Sequence, residues 1–231
     1  MRLLHRIGAA ARRLVAPDCA VCRVERGDPV CPGCLRDFFD PLSARCPVCA
    51  QRLPGLAPAT DCARCVADRP AYDRTIAVGD YAPPLDGMVV ALKSGGRLDL
   101  ARVFGDLLAE RLGAVPIDCL LAVPLAAHRQ RERGFNQSLE IARAVARRLS
   151  LPLLHRALSR TRGGPPQQSL PLQARRGNVR GAFALGGSLW GLRVGIVDDV
   201  MTSGATLDEI AGLVKRGGAA QVVNLVVART E

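Results

Sequence analysis

The chain has 231 residues, 48% of them hydrophobic, which is enough for one conventional core and a small accessory module. Its charge is one-sided, with 32 Lys and Arg against 21 Asp and Glu and a formal +11, so it favours polyanions: phosphates, nucleic acid or a membrane surface. Aromatics make up only 3%, which argues against base-stacking platforms, and no stretch nears about twenty uninterrupted apolar residues, which argues against a transmembrane helix.

Residues 1–18 read as a short basic amphipathic segment. Leu3, Leu4, Ile7, Leu14 and Val15 are apolar, but Arg6, Arg12 and Arg13 break what would be the apolar region of a signal peptide. Docking on the protein's own surface is the expected use, with membrane binding as the alternative. Nothing here supports export, so the expected location is cytoplasmic, where thiols stay reduced.

Eight of the nine cysteines form four C-x-x-C pairs: Cys19/Cys22, Cys31/Cys34, Cys46/Cys49 and Cys62/Cys65. Two thiolates at this spacing reach one metal ion from a tight knuckle, and two knuckles complete a tetrahedral site. Eight ligands imply two closed sites, hence two structural Zn2+ with no open position for water. Disulfides, a redox pair or an iron–sulfur centre are the alternatives. Eight residues separate Cys22 from Cys31 and twelve separate Cys49 from Cys62. We favour sequential ribbons, although an interleaved cross-brace uses the same ligands. Each Zn2+ with four thiolates carries −2, so two sites lower the net charge to about +7.

Residues 19–71 therefore read as a double zinc ribbon that folds with its metal, being poor in large apolar side chains. Residues 66–71 form the junction. From residue 72 to 231, Leu, Val, Ile and Ala runs supply a core expected to fold on its own. Residues 73–81 alternate as a strand, and 84–93 and 98–112 read as helices. Residues 118–123 read as a strand closed by Pro124, with Cys119 a buried, inert small hydrophobe. Residues 135–149 form a helix with Leu139, Ala142, Val145, Ala146 and Leu149 on one face. A short strand at 152–154, a strand at 192–197, a helix at 205–215 stopped by Gly217-Gly218 and a final strand at 220–227 complete the pattern. Strands alternating with helices indicate α/β architecture with a mostly parallel sheet.

Three segments look chemical. Residues 123–137 leave a strand and enter a helix, with His128, Arg129, Arg131 and Arg133 placed to meet an anion. A solvated basic helix start is the competing reading, weakened because positive charge there opposes the helix dipole. Residues 159–182 form a long polar loop with Arg160, Arg162, Gln167, Gln168, Arg175, Arg176, Asn178 and Arg180, a lid or a disordered segment. Finally, the apolar run Val194-Gly195-Ile196-Val197 ends in Asp198 and Asp199. It is followed by Val200, Met201 and a turn of Thr202, Ser203, Gly204, Ala205 and Thr206 that opens a helix. Ligands of open α/β sheets bind at the carboxyl ends of strands, and unpaired N–H groups at a helix start suit a phosphate. Two acids beside a phosphate cradle suit a sugar phosphate.

This last segment resembles the signature that type I phosphoribosyltransferases use for phosphoribosyl pyrophosphate (PRPP). The resemblance implies that Asp198 and Asp199 contact the ribose hydroxyls and support positive charge developing during reaction. It also implies that Thr202, Ser203, Gly204, Ala205 and Thr206 hold the 5′-phosphate. Taken with the double ribbon, the Lys93-Ser94-Gly95-Gly96-Arg97 turn, the Arg131-Glu132-Arg133-Gly134-Phe135-Asn136-Gln137 run and the Gln168, Leu172, Arg175, Asn178, Gly181-Ala182-Phe183 segment, the chain resembles the ComF family. Met201 and Ser203 stand where relatives often carry threonine, and Ser203 keeps a hydroxyl. The resemblance implies a phosphoribosyltransferase type I topology, a requirement for Mg2+ with PRPP, a pyrophosphate site among His128, Arg129, Arg131 and Arg133, and a hood over the sugar at 159–182. It leaves two roles open. One is transfer of a phosphoribosyl group to an unknown acceptor. The other is natural competence, as a cytoplasmic protein that binds single-stranded DNA and works with other DNA-uptake proteins.

Overall fold

The computed structural model describes residues 18–39, 44–53, 55, 60–161 and 179–230. Residues 1–17 of the expected amphipathic segment (1–18) and residues 162–178 of the long loop lie outside the described residues. The chain divides into two compact units, Met1–Pro41 and Leu42–Glu231.

In the smaller unit, Cys19 and Cys22 sit in a tight turn. The Arg23 N–H donates to the Cys19 carbonyl at 3.0 Å, and Arg23 takes a left-handed φ of 58°. Cys31 precedes helix α1 (Pro32–Phe38), which carries Cys34 and opens on a proline that has no N–H to leave unpaired. The larger unit begins with the same device. The Ala50 N–H donates to the Cys46 carbonyl at 2.8 Å with a φ of 56°, and Cys62 precedes α2 (Ala63–Ala67), which carries Cys65.

The larger unit continues through β1 (Arg74–Asp80), α3 (Leu85–Ser94), α4 (Asp99–Leu112), β2 (Cys119–Ala122), α5 (Ala127–Arg133), α6 (Gln137–Leu149), β3 (Leu158–Arg160), β4 (Phe183–Leu185), β5 (Arg193–Met201), α7 (Ala205–Arg216) and β6 (Gln221–Arg229). Four strands form one all-parallel sheet in the order β1-β6-β5-β2. The expected strand at 152–154 is a single parallel bridge, Leu120 to Leu153, on the outer edge of β2. β3 and β4 pair antiparallel and form the base of the long loop.

Side chains alternate across the sheet. Cys119 and Leu121 of β2, Val194 and Ile196 of β5, and Val222 and Val226 of β6 share one buried cluster with Leu207, Ile210, Ala211 and Val214 of α7. The opposite face packs against α4 and α6. Strands buried on both faces read as continuous apolar runs. In β6, Val222, Val223, Leu225, Val226, Val227 and Ala228 are all buried. The one polar residue among them, Asn224, donates from Nδ2 to the Thr75 hydroxyl at 3.3 Å. At its amino end β5 is fixed by Arg193, which donates to Asp118 through Nη2 at 2.6 Å and Nε at 2.9 Å. This pairing pulls the Asp118 carboxyl down to about 2.

The division between the units falls at 41/42, whereas the composition changes near residue 71. The reason is packing: Cys46, Val48, Cys49, Cys62 and Cys65 join Tyr72, Met201 and Leu207 in the same buried cluster as the sheet. The first knuckle of this group also covers the edge strand, since the Thr75 N–H donates to the Pro47 carbonyl at 3.1 Å and Arg45 pairs with Asp80 at 2.7 Å.

Helices α4 and α6 meet at Gly105, where an added Cβ would lie 2.3 Å from the Cβ of Ala144. In a helix interior alanine is ordinarily better than glycine by about 1 kcal/mol. Gly105→Ala is nevertheless expected to destabilise the protein, by about 1–3 kcal/mol, because the overlap forces the helices apart. Combining it with Ala144→Gly should recover part of the loss in urea unfolding. A stabilised Gly105→Ala would contradict this close approach.

Candidate functional site

β5 runs two residues beyond the paired acids, to Met201, so Asp198 and Asp199 sit within the strand and the chain turns only after it. Gly204 makes that turn with a left-handed φ of 80° and stands at the start of α7. A side chain there would be strained, and its Cβ would lie 2.7 Å from Met201 Cε and 3.1 Å from the Tyr72 hydroxyl. The Ser203 hydroxyl accepts from the Ala205 N–H at 3.3 Å. Beyond it, the first turn of α7 offers N–H groups without intrahelical partners at the positive end of the helix dipole.

These residues line a cleft of about 340 Å3, within the range of small-ligand sites. Asp198, Asp199, Thr202, Ser203, Gly204, Ala205 and Thr206 all border it. So do His128, Arg129 and Arg133, whereas Arg131 is exposed and does not. The physical reason is helical: Arg129 and Arg133 are four residues apart on α5 and share a face that Arg131 does not. One Arg133 Nη1 atom is buried without a partner among the described residues. Arg160, from β3, also borders the cleft and stacks over the Phe183 ring at 5.5 Å. Burial and the neighbouring charge of Arg129 lower the Arg160 pKa, which marks a concentrated positive potential. Of the other loop residues, Arg180 is exposed near the start of the described segment 179–230, and Arg162, Gln167, Gln168, Arg175, Arg176 and Asn178 lie outside the described residues.

The acids are not equivalent. Asp199, 6% exposed, accepts from the Val200 N–H at 2.6 Å and from Gln137 Nε2 at 2.7 Å, and it pairs with Lys93 Nζ at 3.1 Å. Asp198 uses Oδ1 to accept from the Ser138 hydroxyl and the Asp199 N–H, both at 2.9 Å. Burial, then the charge of Asp199, raise the Asp198 carboxyl well above the usual carboxylate range. Gln137 and Ser138 are delivered by the Asn136 cap. Its side chain accepts from the Ser138 and Leu139 N–H groups and donates to the Val123 carbonyl at 3.0 Å, pinning the start of α6 to the end of β2.

Lys93, Gln137 and Ser138 are not among the site residues expected from sequence. Lys93 and Gln137 fall in motifs that carry the family resemblance, but nothing in their spacing places them on Asp199. Ser138 has no comparable signal.

The sulfur atoms of Cys19, Cys22, Cys31 and Cys34 lie within 4.8 Å of one another, and so do those of Cys46, Cys49, Cys62 and Cys65. The grouping is sequential. Tetrahedral zinc with Zn–S of about 2.3 Å places sulfurs about 3.8 Å apart, and Cys22 to Cys31 is 3.9 Å and Cys49 to Cys62 3.6 Å. Burial opposes charge on Cys19, but N–H groups of Cys31, Cys22 and Val21 outweigh it and bring the thiol down to about 6. In the same group, burial and the neighbouring thiols push Cys34 up to about 12. Four crowded thiols resist joint ionisation, which a bound cation would relieve. The donor set therefore fits a structural metal ion in each group.

A parallel α/β domain with an acid pair and a helix-opening loop at a strand's carboxyl end, joined to two four-cysteine groups, is the class this fold and site define. The chain is 36% identical over 208 residues to the DNA utilization protein YhgH of Salmonella typhi, covering 87% of this chain and 90% of that protein. It is 36% identical over 192 residues to the YhgH protein of Escherichia coli K12, covering 80% and 84%. Competence protein F of Haemophilus influenzae is 29% identical over 203 residues, covering 84% and 87%. The chain belongs to the family of YhgH and competence protein F (ComF). No family model matches it. Among solved structures it is similar to the glutamine PRPP amidotransferase of B. subtilis, at 23% identity and a TM-score of 0.41 over 58% of this chain and 30% of that one. A purine phosphoribosyltransferase from Pyrococcus horikoshii gives 23% and 0.36 over 56% and 83%. Among the described residues no helix is long and apolar enough to cross a membrane.

Because the folded state holds the Asp198 proton more tightly than the unfolded chain, the stability from this group is complete below about pH 4 and is lost as pH rises toward neutrality. Asp198→Asn keeps an acceptor for Ser138 and removes the charge. It should raise the Tm at pH 7.5 by a few degrees and flatten the decline between about pH 4 and 7. An unchanged profile would mean that Asp198 ionises normally.

The two cysteine groups should also differ in consequence. Cys34→Ser is expected to cost one metal equivalent and leave the unfolding midpoint of the larger unit in place. Cys65→Ser, within the sheet's core cluster, should cost one equivalent and lower that midpoint. Equal effects of the two variants in calorimetry would contradict the packing.

Proposed function

We propose that the cleft binds PRPP with Mg2+ and that the protein transfers a phosphoribosyl group to an acceptor. The observation that carries this reading is the placement of the acid pair, the Thr202–Thr206 loop and a cluster of cations around one cleft. The loop would hold the 5′-phosphate and Asp198 would accept from the ribose hydroxyls. Arg129, Arg133 and His128 would face the pyrophosphate, with Arg160 beside them, while Arg131 would stay in solvent. Mg2+ would neutralise charge on the pyrophosphate.

Transfer breaks the bond from ribose C1′ to the pyrophosphate oxygen, and the electron pair leaves with pyrophosphate. The acceptor's lone pair then forms the new bond to C1′. Positive charge developing on the ring is favoured by Asp198 and by the fixed dipole field of the cleft, while the arginines meet the negative charge on the leaving group. The β3–β4 ribbon would carry the hood that keeps water from the reacting centre. Both cysteine groups would hold structural Zn2+, and the expected setting is the cytoplasm.

The relatives' names supply a second reading. In it the protein handles single-stranded DNA during uptake, together with other DNA-uptake proteins, and the sugar-phosphate cleft acts as a ligand or sensor site. With few aromatics, such binding would rest on phosphate contacts and fall steeply with salt.

Calorimetric titration with PRPP and Mg2+ tests the first reading. The parent should bind, and the double variant Asp198→Lys, Asp199→Lys should lose at least about a hundredfold in affinity while remaining folded. Equal affinity in the double variant would refute the ribose assignment. DNA binding that is weak and insensitive to salt would count against the second reading.

A further inference from the structure

A loop that turns its N–H groups toward an anion must turn its carbonyls the other way. Here those carbonyls meet two arginines that tie the loop to the second cysteine group. Arg229, 3% exposed, donates from Nη1 to the carbonyls of Met201 at 3.2 Å, Thr202 at 2.5 Å and Thr230, and from Nε to the Cys49 carbonyl at 3.0 Å. Arg64, between Cys62 and Cys65 on α2, donates from Nη2 to the Ser203 carbonyl at 2.5 Å. Three successive carbonyls, the last of β5 and the first two of the loop, are thus held by guanidinium groups anchored beside the cysteines. Ser203, Gly204 and Ala205 line the cleft on one side and a small crevice with Arg64, Cys65 and Tyr72 on the other, so the loop is the wall between ligand and cysteine group.

We propose that Arg64 and Arg229 are positioning residues that make the phosphate loop and the second four-cysteine site one cooperative unit, so that sugar-phosphate binding and metal retention strengthen each other. This rests on the reading of the loop as a phosphate site. The physical basis has two parts. Cationic donors behind the peptide units fix the direction of their dipoles, and charge-assisted hydrogen bonds of this kind are among the stronger ones. A four-thiolate metal site carries a net −2, which supplies the counter-charge that a buried guanidinium otherwise lacks. Loss of the metal would remove that charge and loosen the carbonyl anchors together.

Reciprocity provides the test, because a ligand that favours the metal-bound state must itself be favoured by it. The partition of Zn2+ between the zinc-loaded full chain and a chromogenic chelator is measured at equilibrium with and without saturating ribose 5-phosphate. One of the two metal equivalents should be held at least about threefold more tightly with the ligand. The variant Cys19→Ser, Cys22→Ser, which disables the first group, should keep that protected equivalent. Arg64→Ala, an exposed position, should retain both equivalents yet abolish the protection and weaken ribose 5-phosphate about tenfold, with pyrophosphate affinity unchanged. Arg64→Lys should restore part of both effects. Arg229→Gln should behave alike if it folds, but Arg64 decides the matter.

Ribose 5-phosphate that binds the parent without tightening the retention of either equivalent would overturn the coupling and spare the phosphate-site reading. If ribose 5-phosphate fails to bind the parent, the phosphate-site reading falls, and hydrogen exchange at residues 201–206 decides the coupling. Faster exchange in Arg64→Ala would support it, and unchanged exchange would overturn it.

Discussion

A guanidinium removed from water needs oxygen acceptors, and the partners of Arg229 among the described residues are all backbone carbonyls. Three of them belong to the segments that leave the sheet at its carboxyl edge, and one belongs to a cysteine knuckle. Satisfying this one side chain fixes the direction of the peptide units at Met201 and Thr202. Because the carbonyl and N–H of a trans peptide unit point opposite ways, the Thr202 and Ser203 N–H groups point away from Arg229. The position of the cysteine group, the turn at Gly204 and the start of α7 are all consequences that must agree with it.

The cleft separates charge along its length. Lys93 and Gln137 occupy the Asp199 carboxylate, and Ser138 and the Asp199 N–H occupy one oxygen of Asp198. Among the described residues the second Asp198 oxygen therefore has no hydrogen-bond partner, whereas the Asp199 carboxylate is committed to Lys93, Gln137 and the Val200 N–H. On the other side, Arg129, Arg133 and Arg160 converge although like charges repel, an arrangement that makes sense where an anion is to be bound. Burial is the first cause of both the raised Asp198 pKa and the lowered Arg160 pKa, and in each a like charge adds to it, Asp199 in one and Arg129 in the other.

Much of this is legible in the sequence because local chemistry determines it. The β-branched run before Asp198 suits a buried strand and little else, and four C-x-x-C pairs gather where thiols share a cation or a bond. The sequence favours the sequential grouping but leaves the interleaved one open, and the sulfur positions decide for the sequential one. What the sequence conceals is long-range. Arg229 closes an apolar strand and is separated by 180 residues from the Cys49 carbonyl it bonds. Arg64 reaches across 139 residues to Ser203. Neither spacing nor periodicity encodes such contacts. Composition divides a metal module from a core domain, yet it does not reveal that the second cysteine group is itself part of the sheet's core. Helix α5 is hidden for a different reason: its seven residues hold no buried side chain, so no apolar period announces it.

The most direct measurement is a crystal structure of the zinc-loaded protein with ribose 5-phosphate. The account predicts the phosphate on the N–H groups of residues 203–206, the ribose hydroxyls within hydrogen-bond distance of Asp198, and Arg229 and Arg64 still on the loop carbonyls behind. A phosphate seated instead among Arg129, Arg133 and Arg160, with the sugar away from Asp198, would contradict it.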